Sequence, residues 1–182
     1  MIGLQNIGNT CYMNSAIQLL MNSDGFKNII NINKDKSENL NIIYNFIIKY
    51  NNSEKYIIPK EIKNIVGKRK KIFCGFGQQD SHEFLLYLFD IIDEDLKKNN
   101  NLHDLFGINF SINFKRKVKN CLNESEHTEN DLFLNLDVKN NLDNSYRNYK
   151  EISKLFGDNM YMCDKCNMKR PGRKKIRTSK WP

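Results

Sequence analysis

The chain has 182 residues, enough for one domain with a packed core or for part of a larger one, and its 40% apolar content fits a folded protein. The net charge of +8 invites a nucleic-acid partner. However, Lys169, Arg170, Arg173, Lys174, Lys175, Arg177 and Lys180 supply seven cations near the end of the chain with no acid among them, so the excess reads as a solvated basic tail and nucleic acid is not expected. No segment approaches the ~20 apolar residues of a membrane span, and Met1-Ile2-Gly3-Leu4 lacks the basic and apolar regions of a signal peptide, so an intracellular protein of the cytoplasm or nucleus is expected.

In chain order, Asn9 or Thr10 can cap a helix through Ala16, Ile17, Leu19 and Leu20, which puts Cys11 in its first turn. A second helical pattern runs from Leu40 to Tyr50 with Ile43, Phe46 and Ile47 on one face. Pro59 opens a third through Ile62, Ile65 and Val66. Cys74, beside Phe73, reads as a small buried hydrophobe. Asp80 followed by Glu83 matches a capping box, and the helix after it carries a stripe of Phe84, Leu85, Leu88, Ile92 and Leu96, with Asp90, Asp93, Glu94 and Asp95 crowding its outer side. The Asn runs around Asn51 and Asn99 read as solvated connections.

From Phe106 the pattern changes to alternation. Ile108, Phe110, Ile112 and Phe114, then Leu132, Leu134 and Leu136, predict strands with one buried face. A short helix from Ser145 to Phe156 is expected before Cys163-Asp164-Lys165-Cys166. The division therefore falls near Leu105, helical before it and sheet-rich after it.

Five cysteines, an odd number including that spaced pair, suggest reduced thiols with a catalytic or metal role more than a disulfide framework. Cys11 has the surroundings of a nucleophile. It starts a helix, a Gly-Asn-Thr turn precedes it, small Ser15 and Ala16 follow, and Asn6 lies shortly upstream. A helix N-terminus favours anions by ~0.3–1 kcal/mol, lowers a thiol's pKa and presents backbone N–H groups to a developing oxyanion, to which an Asn amide adds another donor. From these features alone, a buried structural cysteine fits Cys11 as well.

The wider pattern separates the two readings. Gly3-Leu4-Gln5-Asn6-Ile7-Gly8-Asn9-Thr10-Cys11-Tyr12-Met13-Asn14-Ser15 resembles the cysteine box of the ubiquitin-specific protease family. In the same order as in that family, Gly77-Gln78-Gln79-Asp80-Ser81-His82-Glu83-Phe84-Leu85 resembles its second box, and the stretch from Gly157 to Cys166 resembles its later cysteine pair.

The resemblance implies an α+β, papain-like cysteine protease that releases ubiquitin from protein conjugates, with ubiquitin and ubiquitinated proteins as partners and no membrane. Residues 1–105 would be the helical thumb, and 106–182 a partial fingers and palm sheet with a CxxC knuckle and a basic tail. By position, Cys11 would be the nucleophile and Asn6 the oxyanion-hole amide. In this family the catalytic His and its Asp or Asn partner lie well downstream of the cysteine pair, so the C-terminal half of the domain is expected to be absent from this sequence and the chain alone to be inactive. His82 falls in the second box at a position without a triad role, and His103 and His127 fall in polar loop sequence. A non-catalytic ubiquitin-binding module or pseudo-enzyme is the alternative.

No cofactor is required for such chemistry. Cys163 and Cys166 have the spacing of structural zinc ligands, and Cys121 is the candidate third. The earlier pair that would complete four ligands is broken, because Glu124 stands where a second cysteine would follow Cys121, and a vestigial knuckle held by strand packing is the other reading.

Overall fold

Helix caps and apolar stripes organise the first half of the chain, and alternation organises the second. The computed structural model, which describes residues 2–97, 101–115, 124–163 and 165–182, divides into two units, Met1–Leu105 and Phe106–Pro182.

In the first unit β1 (Gly3–Leu4) is followed by α1 (Cys11–Met21), α2 (Asp24–Asn33), α3 (Glu38–Asn52), β2 (Tyr56–Ile57), α4 (Lys60–Arg69), α5 (Ser81–Asp95) and α6 (Asn101–Phe106). Side-chain caps start three of the helices. Ser23 accepts from Phe26 N, Ser37 accepts from Leu40 N, and Asp80 accepts from both His82 N and Glu83 N. The expected stripes are buried. Ile43, Phe46 and Ile47 of α3, Ile62, Ile65 and Val66 of α4, and Phe84, Leu85, Leu88 and Ile92 of α5 with Leu96 after it all lie in the core. Helix α2 adds Phe26 and Ile30 to this core.

Tyr12, Phe73 and Phe84 form an aromatic cluster under α1, with ring centroids 5.6–5.9 Å apart. Each fully buried Phe stabilises the unit by roughly 1.5–3 kcal/mol, so this cluster anchors the start of α1 firmly. The expectation for Cys74 is corrected. It is exposed, with its thiol 3.3 Å from the Gly67 carbonyl, because the 3-10 turn Lys71–Cys74 buries Phe73 instead.

The second unit holds β3 (Ile108–Lys115), β4 (Glu124–Asp131), α7 (Leu142–Tyr149), β5 (Ser153–Leu155), β6 (Tyr161–Cys163), β7 (Met168–Arg170) and β8 (Gly172–Lys180). Four strands form an antiparallel sheet in the order β4-β3-β8-β5, and β6 and β7 make a separate hairpin. Ile108, Phe110 and Ile112 point to one side of β3, where Phe114, Leu134, Tyr149 and Ile176 pack against them. The Phe110 and Tyr149 rings lie 5.9 Å apart, and the Tyr146 hydroxyl bonds Thr178 Oγ1, so α7 lies on this face.

Three expectations change here. The strand after β3 is the polar stretch Glu124–Asp131, and Leu132 to Leu136, expected as strand, carries none. The helix before the cysteine pair is Leu142–Tyr149, and residues 153–155 beyond it are strand. The basic residues near the end are not a solvated tail: Met168–Arg170 is β7, and Gly172–Lys180 is β8, an inner strand of the sheet.

Candidate active site

Cys11 is the first residue of α1, and its side chain is exposed. The backbone before it is folded into a tight turn, with Gly8 at φ 105° and Asn9 at φ 50°. Asn6 closes that turn. Its Oδ1 accepts from Gly8 N at 3.1 Å, from Thr10 N at 3.0 Å and from the Thr10 hydroxyl at 3.3 Å. Three donors converging on one oxygen settle which way the amide faces and leave Nδ2 turned away from them as a donor.

Thr10 is fully buried, and its Oγ1 also accepts from Ile7 N at 3.0 Å. The hydroxyl is therefore committed within the loop, and the expected cap does not form, since no side chain caps the first turn of α1. That turn's backbone N–H groups remain beside the sulfur, where the helix dipole is positive.

The loop is tied down on two sides. Asn14 Nδ2 reaches the carbonyls of Leu4 and Gln5, and Gln18 Nε2 reaches that of Ile2. Parallel pairing of β1 with β2, extended by Gln5 N to the Ile57 carbonyl at 2.9 Å, holds the other side. Burial raises the pKa of Tyr12, the residue after the thiol, with the neighbouring Cys11 charge adding a lesser push.

A second segment, 75–80, lies against this loop. Lys63 is buried, and its ammonium donates to the Gly75 carbonyl at 2.6 Å while sitting 5.0 Å from the Phe76 ring centroid. Asn9 Nδ2 donates to the Phe76 carbonyl at 2.9 Å, and the Phe76 ring packs on Gly8, where a Cβ would come within 2.5 Å of it. Asp80 fixes the far end by capping α5. The backbone N–H groups of Glu83 and then His82 hold its carboxyl below the usual range. Between these ties the Gln78 amide donates to the Cys11 sulfur at 4.0 Å.

Local sequence singles out Cys11 and Asn6 and gives no signal for Gln78 or Lys63. Gln78 stands in the second box quoted above, but only the fold brings it to the thiol, across 67 positions.

The three histidines lie in defined elements. His82 is in the first turn of α5, and His103 is in α6, with Nε2 3.8 Å from Asp93. His127 is exposed on β4, its ring edge-on to Phe114. The expected loop placement of His103 and His127 is thus corrected. The hydrogen bond drawn to the Cys11 sulfur among the described residues comes from an amide and not from an imidazole.

Cys163 is buried at the end of β6, and Cys166 sits half-buried in the turn to β7, which Asn167 N closes on the Cys163 carbonyl at 2.7 Å. Cys121 lies outside the described residues. Among those described, no three His, Cys, Asp or Glu side chains converge as a metal site would need, whereas a closed zinc site takes four ligands.

A family model described as ubiquitin carboxyl-terminal hydrolase matches residues 2–179, nearly the whole chain.

Proposed function

Since the chain belongs to the ubiquitin carboxyl-terminal hydrolase family, which acts on ubiquitin conjugates, we propose that it carries the nucleophile half of a papain-like deubiquitinase site. Residues 1–105 serve as its thumb, and residues 106–182 as the start of its fingers and palm. The observation that carries this reading is an exposed sulfur at a helix N-terminus whose first turn has no side-chain cap, five places after an amide pinned by its oxygen.

Each group has a role in acyl transfer. The Cys11 sulfur attacks the carbonyl of ubiquitin's terminal glycine, and the carbonyl oxygen becomes an oxyanion. Asn6 Nδ2 and the first-turn N–H groups of α1 are the donors for that oxygen. Collapse of the intermediate expels the lysine amine, which must leave with a proton. The Gln78 amide beside the sulfur cannot shuttle one, and no imidazole among the described residues is drawn to the sulfur, so in this reading the chain is modified at Cys11 without turning over an amide. Nothing in this chemistry needs a metal. The Cys163 and Cys166 pair acts, in this reading, as a structural knuckle.

The test is paired. Incubation with a small alkylating agent modifies Cys11, while a fluorogenic amide on the ubiquitin C-terminus stays uncleaved. Cys11-dependent cleavage of the amide would show that the chain already holds its proton shuttle. A Cys11 that resists alkylation in the folded protein would remove the nucleophile from the proposal.

A further inference from the structure

The basic residues near the end of the chain are unused by the chemistry above, and their register gives them a different meaning. Residues directly opposite one another in an antiparallel pair share a face of the sheet. Arg173 of β8 lies between Lys115 of β3 and Lys154 of β5, while Lys175 stands opposite Asn113 and Arg177 opposite Ser111. Five cations from three separate stretches of sequence thus meet on one face. The other face of β3 and β8 is the apolar one that carries Phe110, Ile112 and Ile176.

Among the described residues two carboxylates share the cationic face, both from β4. Glu124 takes Lys115 at 3.1 Å. Glu126 is engaged by Ser111 and Asn113, whose hydrogen bonds, with the more distant Arg177 charge, hold its carboxyl below the usual range. Lys154, Arg173 and Lys175 have no ion pair among the described residues. Like charges directly opposite on neighbouring strands repel at a spacing of about 4.8 Å, so the row Lys115, Arg173, Lys154, in which Glu124 answers Lys115 alone, costs stability. Four of these cations, Lys115, Arg173, Lys175 and Arg177, line an open groove of about 270 Å³ together with Asn113 and Ile152.

We propose that this groove is a docking site for an acidic peptide segment of a partner protein, bound in extended conformation with its carboxylates at alternate residues. Arg173, Lys175 and Arg177 recur at every second position of a strand, about 6.7 Å apart, which is the repeat of same-side carboxylates on an extended chain. The two guanidinium forks match carboxylate geometry. A single-stranded nucleic acid fits less well, because the groove lining offers no aromatic face on which bases could stack.

The site does not involve Cys11 and stands or falls apart from the deubiquitinase reading. Fluorescence anisotropy at low salt with a labelled peptide of alternating Glu and Thr tests it, on the full chain and on an R173Q/K175Q/R177Q variant. We expect saturable binding that weakens about tenfold in the variant. The same variant without peptide should melt at or above the wild-type temperature, because it relieves repulsion. Peptide binding that is absent, or unchanged in the variant, would overturn the proposal, as would an oligouridylate that binds more tightly than the peptide. A variant that melts well below wild type would show that the cations serve internal contacts instead.

Discussion

Thr10 is fully buried next to an exposed thiol, and its one hydroxyl serves both Ile7 N and Asn6 Oδ1. Thr10→Val keeps the shape and removes both bonds, leaving a part-buried N–H unanswered. We expect chemical denaturation to show a loss of about 1–3 kcal/mol, with Cys11 alkylation altered through the slackened Asn6. Gly8 is constrained differently. At φ 105°, a conformation that L side chains rarely adopt, and with the Phe76 ring forced to shift, Gly8→Ala should lower the melting temperature and cost about 1 kcal/mol or more. Gln78→Ala removes the donor on the sulfur, and we expect alkylation of Cys11 at neutral pH to slow about threefold with the fold intact. What local sequence could show at this scale was the thiol at a helix start and the amide before it. The grip of Lys63 on Gly75 and the reach of Gln78 are tertiary contacts, and no spacing rule brings position 78 to position 11.

At the scale of elements, caps and periodicity carried most of the helical half. The Phe84 to Leu96 stripe is buried as a 3.6-residue repeat requires, and Asp80 caps it through two backbone N–H groups. That cap gives a pH signature. The folded-state pKa of Asp80 is depressed, so its contribution to stability is present above the ordinary carboxylate range and is lost as pH falls through the lower folded value. Asp80→Asn keeps a capping oxygen without the charge. The advantage of wild type over this variant in melting temperature should therefore shrink as pH drops below about 4, and a constant difference would remove the carboxylate from the account. Helix α2 carries a faint periodic signal, since only Phe26 and Ile30 are apolar on its buried face among several Asn, although Ser23 and Asp24 mark its start. In the sheet, β4 gives no alternating signal at all. Its residues are almost all exposed, so pairing with the edge of β3 sustains it rather than any buried alternation. Leu134 packs on the core from a stretch that is not strand.

For the whole molecule, the chain changes unit between Leu105 and Phe106, where helical periodicity gives way to alternation. Charge was the property that composition misjudged. A run of cations at the end of a sequence looks solvated until register shows Lys115, Lys154 and Arg173 in one row of a sheet, and pairing register is not written in a single strand. The family acts on ubiquitin conjugates, and among the described residues the hydrogen bond drawn to the exposed Cys11 sulfur comes from the Gln78 amide. The most direct measurement is intact-mass analysis after incubation with ubiquitin bearing a C-terminal electrophile. We predict a slow, single adduct that maps to Cys11 and disappears in Cys11→Ala. An adduct that persists in that variant, or none forming while a small alkylating agent still modifies Cys11, would contradict the assignment of this thiol to the tail of ubiquitin.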